Sequence, residues 1–130
     1  MFLDTSGLFC IHHIDEPRSD EAQTLFEAAG SKRTQNYVLA ELVALSLARG
    51  LPRVKTLAFI EALLAHPEVE VVWVNDGLNH EALRLLAARP DKQYSLCDAV
   101  SFVLMKQRGD REALTTDHHF EQEGFVRLLK

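Results

Sequence analysis

The sequence predicts an α/β fold built on a mainly parallel sheet of about five short strands flanked by helices. Short apolar segments alternate with helix-periodic ones from end to end, the pattern that generates strand–helix–strand crossovers. One segment, Val69-Glu70-Val71-Val72-Trp73-Val74, is β-branched and largely apolar, as a strand inside a covered sheet should be. Glycine and proline punctuate the segments, at Gly30, Gly50, Pro67, Pro90 and Gly109.

Taken in order, Phe2 to Asp4 reads as a short buried strand, followed by a helix over about Gly7 to Ile14 and a break at Asp15-Glu16-Pro17. From Arg18 to Ala29 the positions Ala22, Leu25, Phe26 and Ala29 recur at helical spacing, and Gly30 stops that helix. Thr34 to Asn36 predicts a second strand, with Asn36 capping a helix from Tyr37 to Arg49. Pro52, suited to a first-turn position, opens another helix running to about His66. After the Val69–Val74 strand, Asn75 and Asp76 cap a helix reaching Arg89. A polar loop then leads to a helix from Leu96 to about Arg108, stopped by Gly109. Ala113 to Thr116 and Phe125 to Leu129 predict two last strands around a turn or helical piece at Asp117 to Gln122.

With 130 residues and 47% apolar content, the chain is expected to form one globular domain over 1–130. There is no 18-residue apolar run and no basic, apolar leader before Asp4. Neither a membrane span nor a signal peptide is therefore expected, and the default compartment is cytoplasmic. Cys10 and Cys97 lack CxxC spacing and fit small buried side chains better than a disulfide. A net charge of −5 argues against nucleic-acid binding through bulk charge. It leaves room for a nuclease, because a metal-binding nuclease must cluster carboxylates that its cations then offset.

Four acids stand in awkward places. Asp4 ends an apolar strand and precedes Thr5 and Ser6, where an N-cap is the simple alternative. Glu41 interrupts Tyr37-Val38-Leu39-Ala40-Glu41-Leu42-Val43-Ala44-Leu45, apolar nearly all round; if that helix is buried, Glu41 needs a cation, a hydrogen-bonding partner or a cleft. A salt bridge and a cation-ligand role are equal alternatives there. Asp98 lies three residues after Ser95, as in a capping box, although that role prefers Glu or Gln. Asp117 repeats the pattern of Asp4, with a short apolar strand ending in hydroxyls and an acid. In a parallel sheet the carboxyl ends of strands line the ligand crevice, so Asp4 and Asp117 would share one rim, approached by Glu41 and Asp98 from neighbouring helices. Oxygen ligands without paired cysteines suit Mg²⁺ or Mn²⁺ better than zinc, and such sites commonly perform phosphodiester chemistry. His12, His13, His118 and His119 match no zinc spacing and are expected at the surface or behind the ligands.

Leu3-Asp4-Thr5-Ser6, Ala40-Glu41-Leu42, Ser95-Leu96-Cys97-Asp98-Ala99-Val100-Ser101-Phe102 and Leu114-Thr115-Thr116-Asp117-His118-His119-Phe120, in that order, resemble the PIN-domain ribonucleases. The likeness is greatest to the VapC-type toxins of toxin–antitoxin pairs. It implies a PIN-like three-layer sandwich and a metal-dependent endoribonuclease whose catalytic acids are Asp4, Glu41, Asp98 and Asp117. Mg²⁺ or Mn²⁺ would be held by Asp4 and Asp98, with Glu41 and Asp117 as further candidates. Thr5, Ser6 and Thr115 would orient carboxylates or contact phosphate or water. Some relatives carry a further acid at the place of His119. The resemblance also implies an RNA substrate, a homodimer, and a small cognate antitoxin whose C-terminal segment lies over the groove. Apolar surface on the helices Tyr37–Arg49 and Pro52–His66 would serve the protein interface, and Arg18, Lys32, Arg33, Arg89 and Lys92 are candidate RNA contacts. Two rivals remain: a non-catalytic PIN-like RNA- or protein-binding module, and an aspartyl-phosphate phosphatase with Asp4 as nucleophile. The phosphatase ranks lower because Ser6 stands where that family places a second Asp.

Overall fold

The structure, a computed structural model, describes residues 1–130. Strand β1 (Phe2–Leu3) leads into α1 (Thr5–His12) and α2 (Ser19–Ala28); β2 (Lys32–Gln35) leads into α3 (Asn36–Ala48) and α4 (Arg53–Ala65). Next come β3 (Val69–Val72), α5 (Asp76–Ala88), α6 (Leu96–Arg108), β4 (Glu112–Leu114), α7 (His119–Gln122) and β5 (Val126–Arg127). Every ladder is parallel and the strand order is β3-β2-β1-β4-β5. No helix is long and apolar enough to cross a membrane.

Helix α1 packs on α2 and α3, and α3 on α4, whereas α5 packs on α6 and α6 on α7. Because crossovers between parallel strands are right-handed, the two groups fall on opposite faces of the sheet, giving three layers. Phe2, Leu3, Ala113 and Leu114 from the two central strands, all fully buried, tie the layers together with Leu8, Leu42, Phe102 and Phe120. From β1 the chain steps towards β2, and from β4 towards β5. The carboxyl ends of β1 and β4 therefore flank the point where the winding reverses, the place where such sheets open a crevice.

Local chemistry explains where elements begin. Gln35, not Asn36, caps α3, accepting a hydrogen bond from the Tyr37 N–H at 2.6 Å; Asn36 instead accepts from the Val74 N–H at 2.6 Å and fastens β2 to the end of β3. Pro52 is the N-cap of α4 rather than a first-turn residue. Asn75 caps α5 as expected, and Gly109 closes α6 with φ +75°, a left-handed conformation that glycine adopts without a Cβ clash. The last strands are shorter than predicted: Thr115 and Thr116 leave the regular ladder to shape the crevice, and beyond Arg127 only single bonds continue alongside β4, from the Leu128 N–H to the Ala113 carbonyl and from the Leu129 N–H to the Thr115 carbonyl, each 3.1 Å.

Helix α3 corrects the sequence reading most clearly. Its residues are apolar on all sides, yet Ala40, Glu41, Ala44 and Leu47 face outward, so Glu41 is exposed rather than buried. The apolar outer stripe is surface, and it made the helix look like a core element.

Candidate active site

Asp4 follows β1 immediately and occupies the N-cap position of α1, but its side chain makes no capping bond. The carboxylate turns into the crevice, where Oδ2 accepts hydrogen bonds from the Thr115 hydroxyl at 2.7 Å and the Ser6 hydroxyl at 3.4 Å. Thr115 also accepts from the Asp117 N–H at 3.0 Å, and Ser6 accepts from the Thr116 N–H at 2.9 Å. Hydroxyls at both strand ends thus lace β1 to β4 and fix Asp4 between them. Only 4% exposed, Asp4 has its carboxyl pushed up to about 7, chiefly by burial, with Asp98 and Asp117 adding repulsion and the Thr115 bond opposing it.

Asp98 enters from the first turn of α6. Its Oδ2 accepts from the Ser95 N–H at 3.1 Å while Ser95 Oγ accepts from the Asp98 N–H at 3.0 Å, a complete capping box. The same oxygen lies 3.2 Å from His119 Nδ1, so the cap and the crevice share one carboxylate. Burial raises its pKa, the Ser95 N–H counters that, and Asp117 raises it further. Gln35 pins this end of α6 to β2, donating to the Cys97 carbonyl at 3.3 Å and to Ser101 Oγ at 3.2 Å.

Glu41 reaches the rim from α3 and accepts the Thr5 hydroxyl proton at 2.7 Å. No lysine or arginine pairs with it, so the salt-bridge alternative is not what the structure contains. The buried Cys97 thiol, 3.5 Å from Gln35 Nε2, is pushed up by burial and then by the charges of Glu41, Asp4 and Asp98. Asp117 accepts from the His119 N–H at 2.9 Å, and the metal-ligating atoms of Asp117, His118 and His119 all lie within 4.8 Å of one another. Asp4, Asp98 and Asp117 therefore fall into one hydrogen-bonded network with Ser6, Thr115 and His119, while Thr5 holds Glu41 as a separate pair. His119 is the participant that sequence reasoning left in the background; its signal was its place two residues after Asp117, where the other acidic strand end carries Ser6.

As a donor set, these oxygens suit a hard divalent cation. A buried carboxylate that resists ionising, beside two others, gains most from a positive charge placed among them. Several expected RNA contacts are committed elsewhere. Lys32, 1% exposed, pairs with Glu68, Arg33 bridges Glu70 and Asp110, and Arg89 grips Glu123 with two bonds of 3.1 and 3.0 Å. Lys32 and Arg33 also begin β2, at the amino end of the parallel strands, opposite the carboxyl ends that carry the acids.

A five-stranded parallel sheet with this winding, flanked by helices on both faces, is a PIN-like fold, and residues 1–125 match the PIN domain. The chain belongs to the PIN-domain family. It is 29% identical over 129 residues to the 23S rRNA-specific endonuclease VapC20 of Mycobacterium tuberculosis (strain ATCC 25618 / H37Rv), covering 98% of this chain and 97% of that protein. The strain CDC 1551 / Oshkosh protein gives the same figures. The crystal structure of Mycobacterium tuberculosis VapC20, a sarcin-ricin loop cleaving toxin, matches with a TM-score of 0.87 and 29% identity over 96% of this chain and 95% of that one.

Proposed function

We propose that this protein, as a single PIN-like domain over 1–130, is a cation-dependent endoribonuclease of the toxin–antitoxin type that cuts a structured loop of large-subunit ribosomal RNA in the cytoplasm. The observation that carries the proposal is the convergence of Asp4, Asp98, Asp117 and Glu41 at the β1/β4 switch point, with Asp4 buried and reluctant to ionise. The likeness to the 23S rRNA-specific VapC20 along nearly the whole chain supports the substrate class.

In this mechanism Asp4 and Asp98, with Asp117 and Glu41, hold Mg²⁺ or Mn²⁺. A cation held there would supply a more acidic water and positive charge beside the scissile phosphate and the leaving oxygen. Thr115 and Ser6 aim the Asp4 carboxylate, the Ser95 N–H aims Asp98, and Thr5 aims Glu41, so the ligands need little rearrangement. RNA in a loop, with bases unstacked, presents its backbone to a crevice of this shape more readily than a duplex does. Exposed Ala40, Ala44 and Leu47 on α3 and Val54, Leu57 and Leu64 on α4 supply the apolar surface for a homodimer or a small cognate antitoxin.

The test is incubation of purified protein with ribosomal RNA and Mn²⁺ or Mg²⁺, with cut sites mapped by primer extension. One discrete cut is expected, abolished by EDTA and reduced about 10²-fold or more by Asp98→Ala. Full cutting in EDTA, or by the Asp98→Ala variant, contradicts the proposal.

A further inference from the structure

His119 opens α7 with its backbone N–H capped by Asp117, and its ring stands between two carboxylates from different parts of the chain. Nδ1 is 3.2 Å from Asp98 Oδ2 and 3.4 Å from Asp117 Oδ1. A single proton on Nδ1 serves one of these oxygens well, whereas an ion beside the ring joins the nitrogen to a neighbouring carboxylate. Neighbouring ligands at right angles around an ion with bonds of about 2.1–2.2 Å stand about 3 Å apart, close to both separations. His118 also brings a ring nitrogen within 4.8 Å of the Asp117 and His119 ligand atoms, but its side chain is 63% exposed, 3.7 Å from Asp117, and touches no second carboxylate.

The imidazole is also braced from behind. The Tyr94 ring meets it edge-on at 5.4 Å, and the Tyr94 hydroxyl donates to Glu123 at 3.1 Å. Glu123, whose side chain is 3% exposed, is gripped by Arg89 and by Lys106 at 2.9 Å. Such a brace, joining the end of α5, the loop before α6, α6 and the segment after α7, holds a ring in one orientation at little further entropic cost.

We propose that His119 Nδ1 is a nitrogen donor in the cation site, which makes this chain favour Mn²⁺ and similar ions over Mg²⁺. Magnesium takes oxygen donors almost exclusively, whereas imidazole suits the later divalent metals. The assignment rests on the rim acids being a cation site, as the proposed function requires. It goes further, because a carboxylate at position 119 would hold either ion.

Metal-free protein is titrated calorimetrically with Mn²⁺ and with Mg²⁺ alone, without RNA, and the Mn²⁺-loaded protein is measured by pulsed electron paramagnetic resonance. The wild type and His118→Ala give directly coordinated ¹⁴N coupling; His119→Ala and His119→Asp lose it. In His119→Asp, which keeps a charged ligand, the ratio of Mn²⁺ to Mg²⁺ affinity falls about tenfold. Bound Mn²⁺ without nitrogen coupling in the wild type, unchanged coupling in a folded His119→Ala, or no cation binding overturns the assignment. Nitrogen coupling in a protein that cuts no RNA upholds it and contradicts the nuclease proposal alone.

Discussion

Above pH 7 the Asp4 carboxylate must ionise inside a crevice where it is 4% exposed and where Asp98 and Asp117 already contribute negative potential. Its folded-state pKa of about 7 lies above the unfolded value of 3.8, so between them the native state keeps a proton that the unfolded chain has released. The stability that this group contributes without metal is therefore full below pH 4, falls as pH rises from there to 7 and levels off beyond it, a loss of up to about 4 kcal/mol. Asp98 shifts in the same direction. Urea unfolding in EDTA should show the wild type losing stability from pH 5 to pH 8. Asp4→Asn should stay flatter and be the more stable protein at pH 8, by about 1–3 kcal/mol, with the order reversed by saturating Mn²⁺. Parallel pH profiles for the two proteins would show that Asp4 ionises freely. At this scale Asp4, Asp98 and Asp117 were legible because each breaks an apolar or capping pattern in its own segment. The environment of Glu41 was not, since an all-apolar helix looks the same whether core or interface covers it. His119 was not either, because its partner Asp98 is 21 residues away and only the packing of α7 on α6 brings them together.

Elements matter here through how closely they approach. A Cβ added at Gly7 would lie 1.9 Å from the Leu114 carbonyl oxygen and 2.6 Å from its carbon, both backbone atoms of β4 that have no room to yield. The bare glycine lets α1 settle against β4, and that approach puts Ser6 and Asp4 within reach of Thr115. Gly7→Ala should destabilise the protein by about 2–4 kcal/mol. Gly30→Ala, with nothing within 4 Å of the added carbon, should be neutral or slightly stabilising. Thermal melts of the two variants check this; equal effects would mean that α1 sits further from the sheet. Element types and order were legible throughout, because periodicity and Gly/Pro punctuation are local. The boundaries that moved, at Gln35, Val72 and Thr115, moved because tertiary hydrogen bonds from Asn36, Ser6 and Asp4 claimed backbone or side chains that a local pattern assigns to a strand or cap.

Across the whole molecule, winding and charge act together. Parallel strands put β1 and β4 side by side although Leu3 and Leu114 are far apart in the chain, and the reversal between them creates the crevice. With a net charge of −5 and with nine of the fourteen Lys and Arg, Lys32, Arg33 and Arg89 among them, already paired with carboxylates, few unpaired cations remain to neutralise RNA phosphates. Cleavage efficiency (kcat/KM) should accordingly fall only gently with salt, with a logarithmic slope no steeper than about −3, measured on the same RNA from 50 to 300 mM KCl at constant Mn²⁺. A much steeper slope would reveal a basic surface that these ion pairs leave out. The central claim is that acids from β1, α3, α6 and the β4 end work as one unit. The most direct measurement is a double-mutant cycle on single-turnover RNA cleavage with Asp4→Ala, Asp98→Ala and the double variant, all checked for folding. One shared cation predicts that the double variant is no slower than the slower single variant. Losses that multiply, so that each carboxylate contributes independently, would contradict it.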